Sequence, residues 1–312
     1  MSLPGGYHLH VLHERKAPYP TITSYKEFFA KWWPVSDGPI DQIPTDVQAD
    51  RLVLWQMMGT NFFRRPARLV IHDYRSLSVG TLSGIKDRLK RLLNCKPDIR
   101  LFQTDFVRRG LGFRDTVPEI QFTLGVPSFA FDMSWDRSKT SCDFGYVGVV
   151  TVDREFDTVL QSFLDAYEGK KSFLLVGPAD DAILQRFRSH DCFDFVGKLP
   201  HREALRRVLE SRCGVSFIPD KHPYNRQIPT KLLEYAALGM PILANDCWTN
   251  IDNIERHRIA ATLTGNDLFA DRPDPALMAD NRDCDLSHLD FHRILAESGL
   301  VEILAKALGA SS

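Results

Sequence analysis

The sequence predicts an α/β protein made of two Rossmann-like doubly wound domains that face a cleft, with the N-terminal domain the smaller. Two observations support this prediction. The chain has 312 residues, about twice the length of a typical domain of about 150 residues. Short apolar runs also alternate with amphipathic segments, as parallel strands joined by helices do. Ligands of such sheets bind beyond the carboxyl ends of the strands, so we expect functional residues on the loops that follow strands.

The C-terminal half shows this alternation most clearly. Its apolar runs predict five parallel strands: FGYVG (144–148), SFLLVG (172–177), FDFVG (193–197), GVSFIP (214–219) and PILAN (241–245). The segments between them place apolar residues at helical spacing, and proline or glycine marks the turns. We therefore expect a C-terminal Rossmann-like domain over residues 142–285.

The N-terminal half, residues 1–135, resembles a looser version of the same architecture. Its candidate strands are HLHVLH (8–13), DRLVLWQMM (50–58), RLVIH (68–72), DIRLFQ (98–103) and EIQFTLGV (119–126). The polar segment SWDRSKTSCD (134–143) is typical of a linker between domains. The last segment, 286–312, predicts a C-terminal helix that packs on either domain, including a return to the N-terminal one.

Composition and charge exclude several classes of protein. Lys and Arg together number 39 against 40 Asp and Glu, so no whole-chain field attracts the protein to nucleic acid. No apolar run approaches the roughly 20 residues that a membrane span needs, and the N-terminal segment lacks the apolar core of a signal peptide. The six cysteines are widely spaced, which indicates reduced thiols. We expect a cytoplasmic protein.

The segment IPTKLLEYAALGMPILAND (228–246) predicts a helix followed by a strand. The helix is expected to run from about Pro229 to Leu238. Gly239 suits the left-handed position beyond the helix end, and Pro241 prevents continuation.

Thr230, Lys231 and Glu234 share one side of this helix near its N-terminus. A solvated lysine–glutamate ion pair, worth about 0.2–0.5 kcal/mol, explains the spacing alone. The helix also follows the loop DKHPYNRQ after a buried strand, and the unpaired N–H groups of a helix N-terminus favour an anion such as a diphosphate. Lys231 would then contact phosphate, and Glu234 would accept hydrogen bonds from a ribose.

Taken in order, FGYVG, FVGKLPHREALRRVLESRCGVSFIP and PTKLLEYAALGMPILA resemble the nucleotide-binding domain of retaining, group 1-like GT-B-fold glycosyltransferases. The resemblance covers about residues 144–260 and is weak over 1–130. It implies that Lys231 lies beside the phosphates of a nucleotide-sugar and that Glu234 binds its ribose. It also implies that the turn at Gly148 lets the backbone approach the diphosphate, and that Lys198 and Leu199 lie near the base.

Two positions depart from the family pattern. Arg226 stands where many relatives have a glutamate near the transferred sugar. Relatives often have a lysine after the glycine turn, whereas this chain has Arg154 as the nearby cation. The resemblance therefore implies a donor site whose cations are Arg154, Arg226 and Lys231. Arginine binds phosphate through two parallel hydrogen bonds, so these exchanges are compatible with donor binding.

In the N-terminal half, which by resemblance is the acceptor side, the candidate strand RLVIH ends in a His-Asp pair. It resembles the histidine that touches the donor sugar in these transferases, which makes His72, and then Asp73, the candidate catalytic residues. A hydrogen-bonded histidine at a strand end explains the sequence equally well. The histidines of HLHVLH are interpreted as residues on a strand face.

The sequence does not favour metal or redox chemistry. It contains no glycine-rich dinucleotide or phosphate-loop fingerprint, which argues against NAD and ATP chemistry. CDLSHLDFH (284–292) has a metal-like spacing but no accompanying glutamate base, and DCD (283–285) lacks the apolar strand that precedes the acidic motif of GT-A transferases. We expect no metal site and no cofactor, with a nucleoside diphosphate sugar as co-substrate.

A basic stretch runs from Lys86 to Arg114, with nine Lys or Arg and three Asp. Four apolar residues before and within it share one helical face: Leu82, Ile85, Leu89 and Leu92. A solvated face explains the pattern. Peripheral contact with an anionic membrane, at the inner membrane face, or with a lipid-diphosphate acceptor also explains it.

We therefore expect a hexosyltransferase-like enzyme of polysaccharide biosynthesis. It would move a sugar from a nucleoside diphosphate sugar to an acceptor hydroxyl on a glycan or lipid-linked saccharide. Retention of configuration is implied by the resemblance alone, and helix N–H groups with nearby cations remove the need for a metal. An inverting reaction would use Asp73 as general base. Two alternatives stay open: a catalytically silent sugar-nucleotide or glycan-binding subunit, and a GT-B-like sugar-nucleotide epimerase.

Overall fold

The computed structural model describes residues 2–14, 21–57, 61–78, 82–222 and 224–309. Contacts divide the chain into two compact units. Unit 1 contains residues up to Leu124 together with those from Phe291 onward, and unit 2 is Gly125–Asp290. Each unit contains a six-stranded sheet whose paired strands are all parallel, which confirms the predicted α/β class.

Strands and helices alternate along most of the chain. Unit 1 begins with β1 (His8–Leu12), α1 (Thr21–Phe29), β2 (Val35–Gly38), β3 (Leu52–Met57), β4 (Leu69–Tyr74), α2 (Ser83–Leu93), β5 (Ile99–Phe102), α3 (Asp105–Leu111) and β6 (Glu119–Gln121). Unit 2 contains β7 (Cys142–Val147), α4 (Phe156–Tyr167), β8 (Phe173–Val176), α5 (Asp181–Phe187), β9 (Phe193–Gly197), α6 (His201–Val208), β10 (Ser211–Ser216), α7 (Thr230–Ala237), β11 (Ile242–Asn245), α8 (Trp248–His257) and β12 (Thr262–Thr264). The chain then adds α9 (Phe291–Glu297) and α10 (Leu300–Ala307) to unit 1.

The sheet of unit 1 has the order β2-β1-β3-β4-β5-β6. Five of its strands overlap the predicted ones. The candidate strand 50–58 is seen to Met57, and residue 58 lies outside the described residues. The sixth strand, β2, has the sequence VSDG. It contains no apolar run, so hydrophobic patterning does not predict it.

The core of unit 1 depends on the C-terminal helices. Phe291, Leu295, Leu300 and Leu304 are buried in the same cluster as the strand residues Leu9, Trp55 and Ile71. The expected single C-terminal helix is in fact two, because Gly299 adopts a left-handed φ of 78° immediately before α10. The final segment is therefore part of unit 1.

The first residues of unit 2 precede the polar segment expected to be a linker. The backbone N–H of Val126 donates to the Leu289 carbonyl at 2.8 Å. Trp135 is buried, and its indole N–H donates to the Ser211 carbonyl at 2.8 Å. The division between the units falls at Gly125, before the polar segment, because the apolar residues ahead of that segment and Trp135 within it pack into the core of unit 2.

The sheet of unit 2 has the order β12-β11-β10-β7-β8-β9. It contains six strands instead of the expected five, since the short, partly exposed strand β12 gives no apolar run. This order corresponds to the 3-2-1-4-5-6 arrangement of dinucleotide-binding sheets read in reverse, and the chain changes direction between β7 and β10. The loops that follow these two strands emerge side by side.

None of the described helices has the length and apolar composition required to cross a bilayer.

Candidate functional site

The candidate site of unit 2 lies where the chain changes direction, at the carboxyl ends of β7 and β10. The loop after β7 runs from Gly148 to Glu155, and the loop after β10 leads into α7. Asn245, at the end of β11, fixes the start of the second loop. Its side chain accepts from the Ile218 N–H at 3.0 Å and donates to the Ile218 carbonyl at 2.8 Å. Ligands of doubly wound sheets bind at such a crevice.

The N-terminus of α7 opens onto this crevice. Pro229 is the residue before the helix, and not its first residue as expected; Gly239 has the expected left-handed φ of 78°. Among the described residues, the backbone N–H groups of Lys231 and Leu232 have no hydrogen-bond acceptor. Unpaired donors at a helix N-terminus form a site for an anion.

Tyr235 holds α7 against the sheet. Its hydroxyl oxygen accepts a hydrogen bond from the Val147 N–H, at the end of β7, at 2.8 Å. Gly214 in β10 leaves room for the ring, since a Cβ atom there would lie 2.5 Å from the ring of Tyr235. The position of α7 relative to the strand ends is therefore set by buried contacts.

Glu234 is buried on α7, with 5% of its surface exposed. Its Oε1 lies 2.9 Å from Nε2 of His201, the first residue of α6. Burial tends to raise the pKa of the Glu234 carboxyl, but the charge and hydrogen bond of His201, together with Lys231, bring it below its usual value. Glu234 is thus an ionised carboxylate at neutral pH, able to accept hydrogen bonds.

Two of the predicted cations lie near each other. Burial lowers the pKa of the Lys231 ammonium, Glu234 opposes this effect and Arg154 adds to it. The ammonium lies 3.4 Å from the Thr230 hydroxyl. The Arg154 guanidinium lies 5.0 Å from the ring centroid of Tyr224, which joins the loops after β7 and β10. Lys231 and Arg154 together outweigh the single charge of Glu234, so this part of the site favours an anion.

Arg226 occupies the same loop as Tyr224 but is exposed, and its guanidinium lies 5.3 Å from the ring centroid of Trp248. Trp248 is the first residue of α8 and 58% exposed. No described carboxylate pairs with Arg226. The structure therefore separates the three predicted cations into the Lys231–Arg154 pair and an arginine that stacks on an exposed tryptophan.

The remaining predicted donor residues lie at other strand ends. Gly148 follows β7, and a Cβ atom there would lie 2.6 Å from the Tyr146 hydroxyl, so any larger residue would require this buried tyrosine to move. Lys198 and Leu199 follow β9, where Lys198 is exposed and Leu199 packs against the core. They lie in the short connection to α6, just before His201.

His72 lies in β4 of unit 1 and has no exposed surface. Its Nδ1 is 3.3 Å from the Tyr74 hydroxyl, and its Nε2 is 3.9 Å from the Cys95 sulfur. Burial, with the charges of Arg100 and Arg64, lowers its pKa from 6.5 to about 3. A buried, neutral histidine matches the structural interpretation, and the catalytic assignment of His72 stays a prediction that this geometry does not support.

Asp73 is a buried structural carboxylate in this geometry. Its Oδ2 accepts hydrogen bonds from the Tyr25 hydroxyl at 3.2 Å, from the Trp55 indole at 3.1 Å and from Arg75 at 3.0 Å. These contacts connect α1 with β3 and β4. These contacts give Asp73 a structural role, and its catalytic assignment stays a prediction.

The histidines of β1 and the segment 284–292 do not form a catalytic or metal site among the described residues. His8 and His10 lie within 2.8 Å of the Ser36 hydroxyl on the neighbouring strand, as residues of a strand face do. His288 lies 2.9 Å from His257. Within the described ranges, no group of three or more His, Cys, Asp or Glu residues is placed to hold a metal ion.

Three residues of the candidate site are not predicted by the sequence: His201, Tyr224 and Trp248. His201 belongs to the motif GKLPH, but its contact with Glu234 joins positions 33 residues apart. Tyr224 and Trp248 are recognised only by the arginines stacked on them. The usable sequence signal is their position, since each follows a predicted strand.

No protein-family model and no curated protein sequence matches this chain. Its fold matches solved structures over nearly their whole length. Anabaena Alr3699/HepE in complex with UDP and glucose has a TM-score of 0.56 at 9% identity, covering 96% of this chain and 97% of that chain. An alpha-glucosyltransferase in complex with UDP and a 13-mer DNA has 0.58 at 13% identity, covering 96% and 100%. A putative UDP-N-acetylglucosamine 2-epimerase from Listeria monocytogenes has 0.51 at 11% identity, covering 99% and 98%.

These structural similarities establish the fold. Because the sequence identities are so low, they do not identify the substrate. The two parallel six-stranded sheets agree with that architecture. The chain therefore has the GT-B glycosyltransferase fold, as its resemblance to that family predicts.

Proposed function

We propose that this protein is a glycosyltransferase that moves a sugar from a nucleoside diphosphate sugar to an acceptor hydroxyl of a glycan or lipid-linked saccharide. One observation carries the proposal. In a GT-B fold, an ionised, buried Glu234 and the cations Lys231 and Arg154 surround the open N-terminus of α7 at the strand ends. A carboxylate can accept hydrogen bonds from a ribose, and an adjacent anion site can bind the diphosphate of the same nucleotide.

In this proposal each group has a distinct role. The ribose hydroxyls donate to Glu234, and the diphosphate lies against the first N–H groups of α7 beside Thr230, Lys231 and Arg154. As the sugar–phosphate bond breaks, these donors stabilise the negative charge of the leaving diphosphate. The reaction then requires no divalent metal and no cofactor.

The same proposal assigns the rest of the predicted donor site. Gly148 is placed beside the diphosphate, and Lys198 and Leu199 beside the base. Arg226 is placed near the transferred sugar, which passes between the bound donor and the acceptor with retention of configuration. Unit 1 is proposed to hold the acceptor. Two of the solved structures described above contain UDP, which makes uridine diphosphate the first nucleotide to test.

The test is a panel of nucleotides and donors. Binding of UDP, GDP and ADP is measured by calorimetry, and UDP-, GDP- and ADP-sugars are then supplied with glycan and lipid-linked acceptors. We expect one diphosphate to bind and its sugar to be transferred. If no nucleoside diphosphate binds at millimolar concentration, the proposal is wrong.

A silent binding subunit is the second candidate, and Arg226 favours it. An arginine cannot accept hydrogen bonds from sugar hydroxyls, as a glutamate at that position would. Nucleotide binding without turnover over the whole acceptor panel is the expected result for such a subunit.

An epimerase is the third candidate, favoured by the structural match to a putative sugar-nucleotide epimerase. Release of an epimerised sugar from the donor, in the absence of any acceptor, is its expected result.

A cytoplasmic location with peripheral contact at the inner membrane face completes the proposal, since a lipid-linked acceptor would be reached there. The basic stretch 86–114 is the part of unit 1 to which this contact is assigned.

A further inference from the structure

Helix α2 has the reverse of the usual amphipathic arrangement. Its one buried residue is Asp87. The Asp87 carboxylate accepts the Ser78 N–H at 3.0 and 3.2 Å, and lies 3.5 Å from the Lys90 ammonium. The helix is thus attached to unit 1 partly through a polar contact, whereas a surface helix normally buries its apolar residues.

The apolar residues of α2 face solvent. Leu92 is 71% exposed, and Leu82, Ile85, Leu89 and Leu93 are also exposed. Positions 82, 85, 89 and 92 recur at helical spacing, so they form one continuous apolar strip. Isolated exposed leucines are common on proteins, but a contiguous strip marks an interaction surface.

Two exposed phenylalanines lie in the segment attached to the C-terminal end of α2. Phe63 is 82% exposed, and Phe62 is exposed beside it. Their segment is held at the helix end, because the Asn61 N–H donates to the Asn94 side chain and the Cys95 N–H donates to the Asn61 carbonyl, both at 2.8 Å. We call residues 61–65 together with 82–96 the α2 surface.

The charges of the α2 surface have one sign. Its exposed ionisable residues are cations: Arg64, Arg65, Lys86, Arg88, Arg91 and Lys96. Its one carboxylate, Asp87, is buried. Arg64 pairs with Asp98 beyond the surface, whereas no described carboxylate pairs with Arg65, Arg88 or Arg91. A strip of apolar side chains flanked by cations is complementary to anionic headgroups over acyl chains.

Only the N-terminal part of the predicted basic stretch 86–114 belongs to the α2 surface. Arg100 is buried and makes two hydrogen bonds with Asp115, at 2.6 and 2.7 Å. Arg108 pairs with Glu119 and Arg109 with Asp105. Carboxylates therefore neutralise most of the charge in the C-terminal part of 86–114. The α2 surface leaves that part out and includes residues 61–65.

We propose that the α2 surface docks on an anionic lipid bilayer, with α2 parallel to the membrane plane and its leucines and phenylalanines among the headgroups and upper acyl chains. A protein partner would require an acidic rim of its own to match these cations, whereas an anionic membrane presents that charge at every orientation. The inference rests on the peripheral membrane contact of the proposed function and assigns it to particular residues. Its test uses the protein without donor, so its failure is distinguishable from failure of sugar transfer.

Vesicle flotation of the full-length protein without nucleotide tests the proposal. We expect binding to vesicles of phosphatidylglycerol mixed with phosphatidylcholine, weaker binding at high salt, and little binding to phosphatidylcholine alone. Leu92→Glu and Phe63→Ser should each lower the partition coefficient about tenfold, since each removes an inserted apolar group. The double variant Arg88→Glu/Arg91→Glu should abolish the preference for anionic lipid.

Leu277→Glu is the matched control, because it places the same charge on an exposed leucine of unit 2 and should leave vesicle binding unchanged. Calorimetric nucleotide binding by Leu92→Glu, measured in solution, separates loss of docking from loss of the donor site. The proposal is overturned if the wild-type protein does not float with anionic vesicles at low salt, or if the α2 variants float as it does. It is also overturned if the wild-type protein is a dimer that Leu92→Glu dissociates while vesicles bind neither form.

Discussion

Glu234 combines nearly complete burial with a pKa below the usual value, because His201 and Lys231 outweigh the effect of burial. A buried carboxylate with a single hydrogen-bond partner keeps most of its capacity to accept hydrogen bonds, and ribose hydroxyls would use it. The residue type and its spacing from Lys231 are visible in the sequence. The His201 contact is not, since it depends on how α6 and α7 pack.

Replacing Glu234 tests the donor site directly. We expect Glu234→Ala to weaken binding of the preferred nucleoside diphosphate at least tenfold, or about 1.4 kcal/mol, as measured by calorimetry. Glu302→Ala, on an exposed position of α10, is the matched control and should bind as the wild type does. Unchanged affinity for Glu234→Ala would remove this residue from the site.

His72 makes the stability of unit 1 depend on pH. In the unfolded chain it takes up a proton near pH 6.5, whereas in the folded chain its pKa is about 3. The unfolded state therefore binds more protons between these values, and folding stability falls as pH falls. This single group contributes a slope that approaches about 1.4 kcal/mol per pH unit between its folded and unfolded pKa values, about 3 and 6.5.

We expect His72→Gln to give a shallower loss of unfolding free energy between pH 7 and pH 5 than the wild type. Denaturant titrations at the two pH values measure this difference. His190→Gln, in the exposed connection between α5 and β9, is the control and should keep the wild-type slope. Equal slopes for His72→Gln and the wild type would contradict the buried, neutral state of His72.

At the scale of elements, the contact between α6 and α7 positions the candidate site. His201 begins α6, and Glu234 lies in the middle of α7. The other nitrogen of His201, Nδ1, is buried and has no hydrogen-bond partner among the described residues. His201 is thus a positioning residue. Its hydrogen bond is with Glu234, the residue proposed to bind the ribose.

We expect His201→Ala to lower the unfolding free energy by about 1.5–3 kcal/mol, because it removes a hydrogen bond to a buried charge. Burial would then raise the pKa of Glu234, so nucleotide affinity should fall with decreasing pH earlier than in the wild type. His201→Gln retains a donor and should restore part of both properties. A pH profile of nucleotide binding identical for wild type and His201→Ala would refute this role.

The elements that could be predicted are those with an apolar run or a marked end. The runs at 144–148 and 172–177 predict β7 and β8, and Gly239 marks the end of α7. The strands β2 and β12 have the sequences VSDG and TLT. They form because neighbouring strands offer hydrogen-bond partners. That tertiary contact cannot be predicted from a local sequence pattern.

Some features of the candidate site could also be predicted from the sequence, and others could not. Lys231 and Glu234 follow from helical spacing, whereas the stacking of Arg154 on Tyr224 and of Arg226 on Trp248 joins separate loops. His72 has the right residue type at a strand end, yet its burial depends on how the sheet of unit 1 is covered. Residue types could be predicted from the sequence, but exposure could not.

At the scale of the whole molecule, two separate cores support the two units. Unit 1 is discontinuous, because its core includes Phe291, Leu295, Leu300 and Leu304 from beyond unit 2. The candidate donor residues all lie in unit 2. Damage to the C-terminal helices should therefore affect the stability of unit 1 before it affects the donor site.

We expect Leu295→Ala to lower the stability of unit 1 by about 2–5 kcal/mol, because it leaves a cavity in a packed core. Calorimetric scans should show an earlier first transition, while nucleotide binding at 25 °C stays close to that of the wild type. Leu277→Ala, on an exposed position, should change neither property by more than about 0.5 kcal/mol. Equal loss of stability and nucleotide binding in Leu295→Ala would show that the units do not unfold separately.

The discontinuity of unit 1 also fixes an order of events on the ribosome. The strands of unit 1 are translated first, but α9 and α10 leave the exit tunnel only after all of unit 2 has been made. At about 5–20 residues per second, the apolar face that these helices cover waits roughly ten to thirty seconds for them. Until these helices are made, that face stays exposed, and a chain truncated before Phe291 would leave it uncovered.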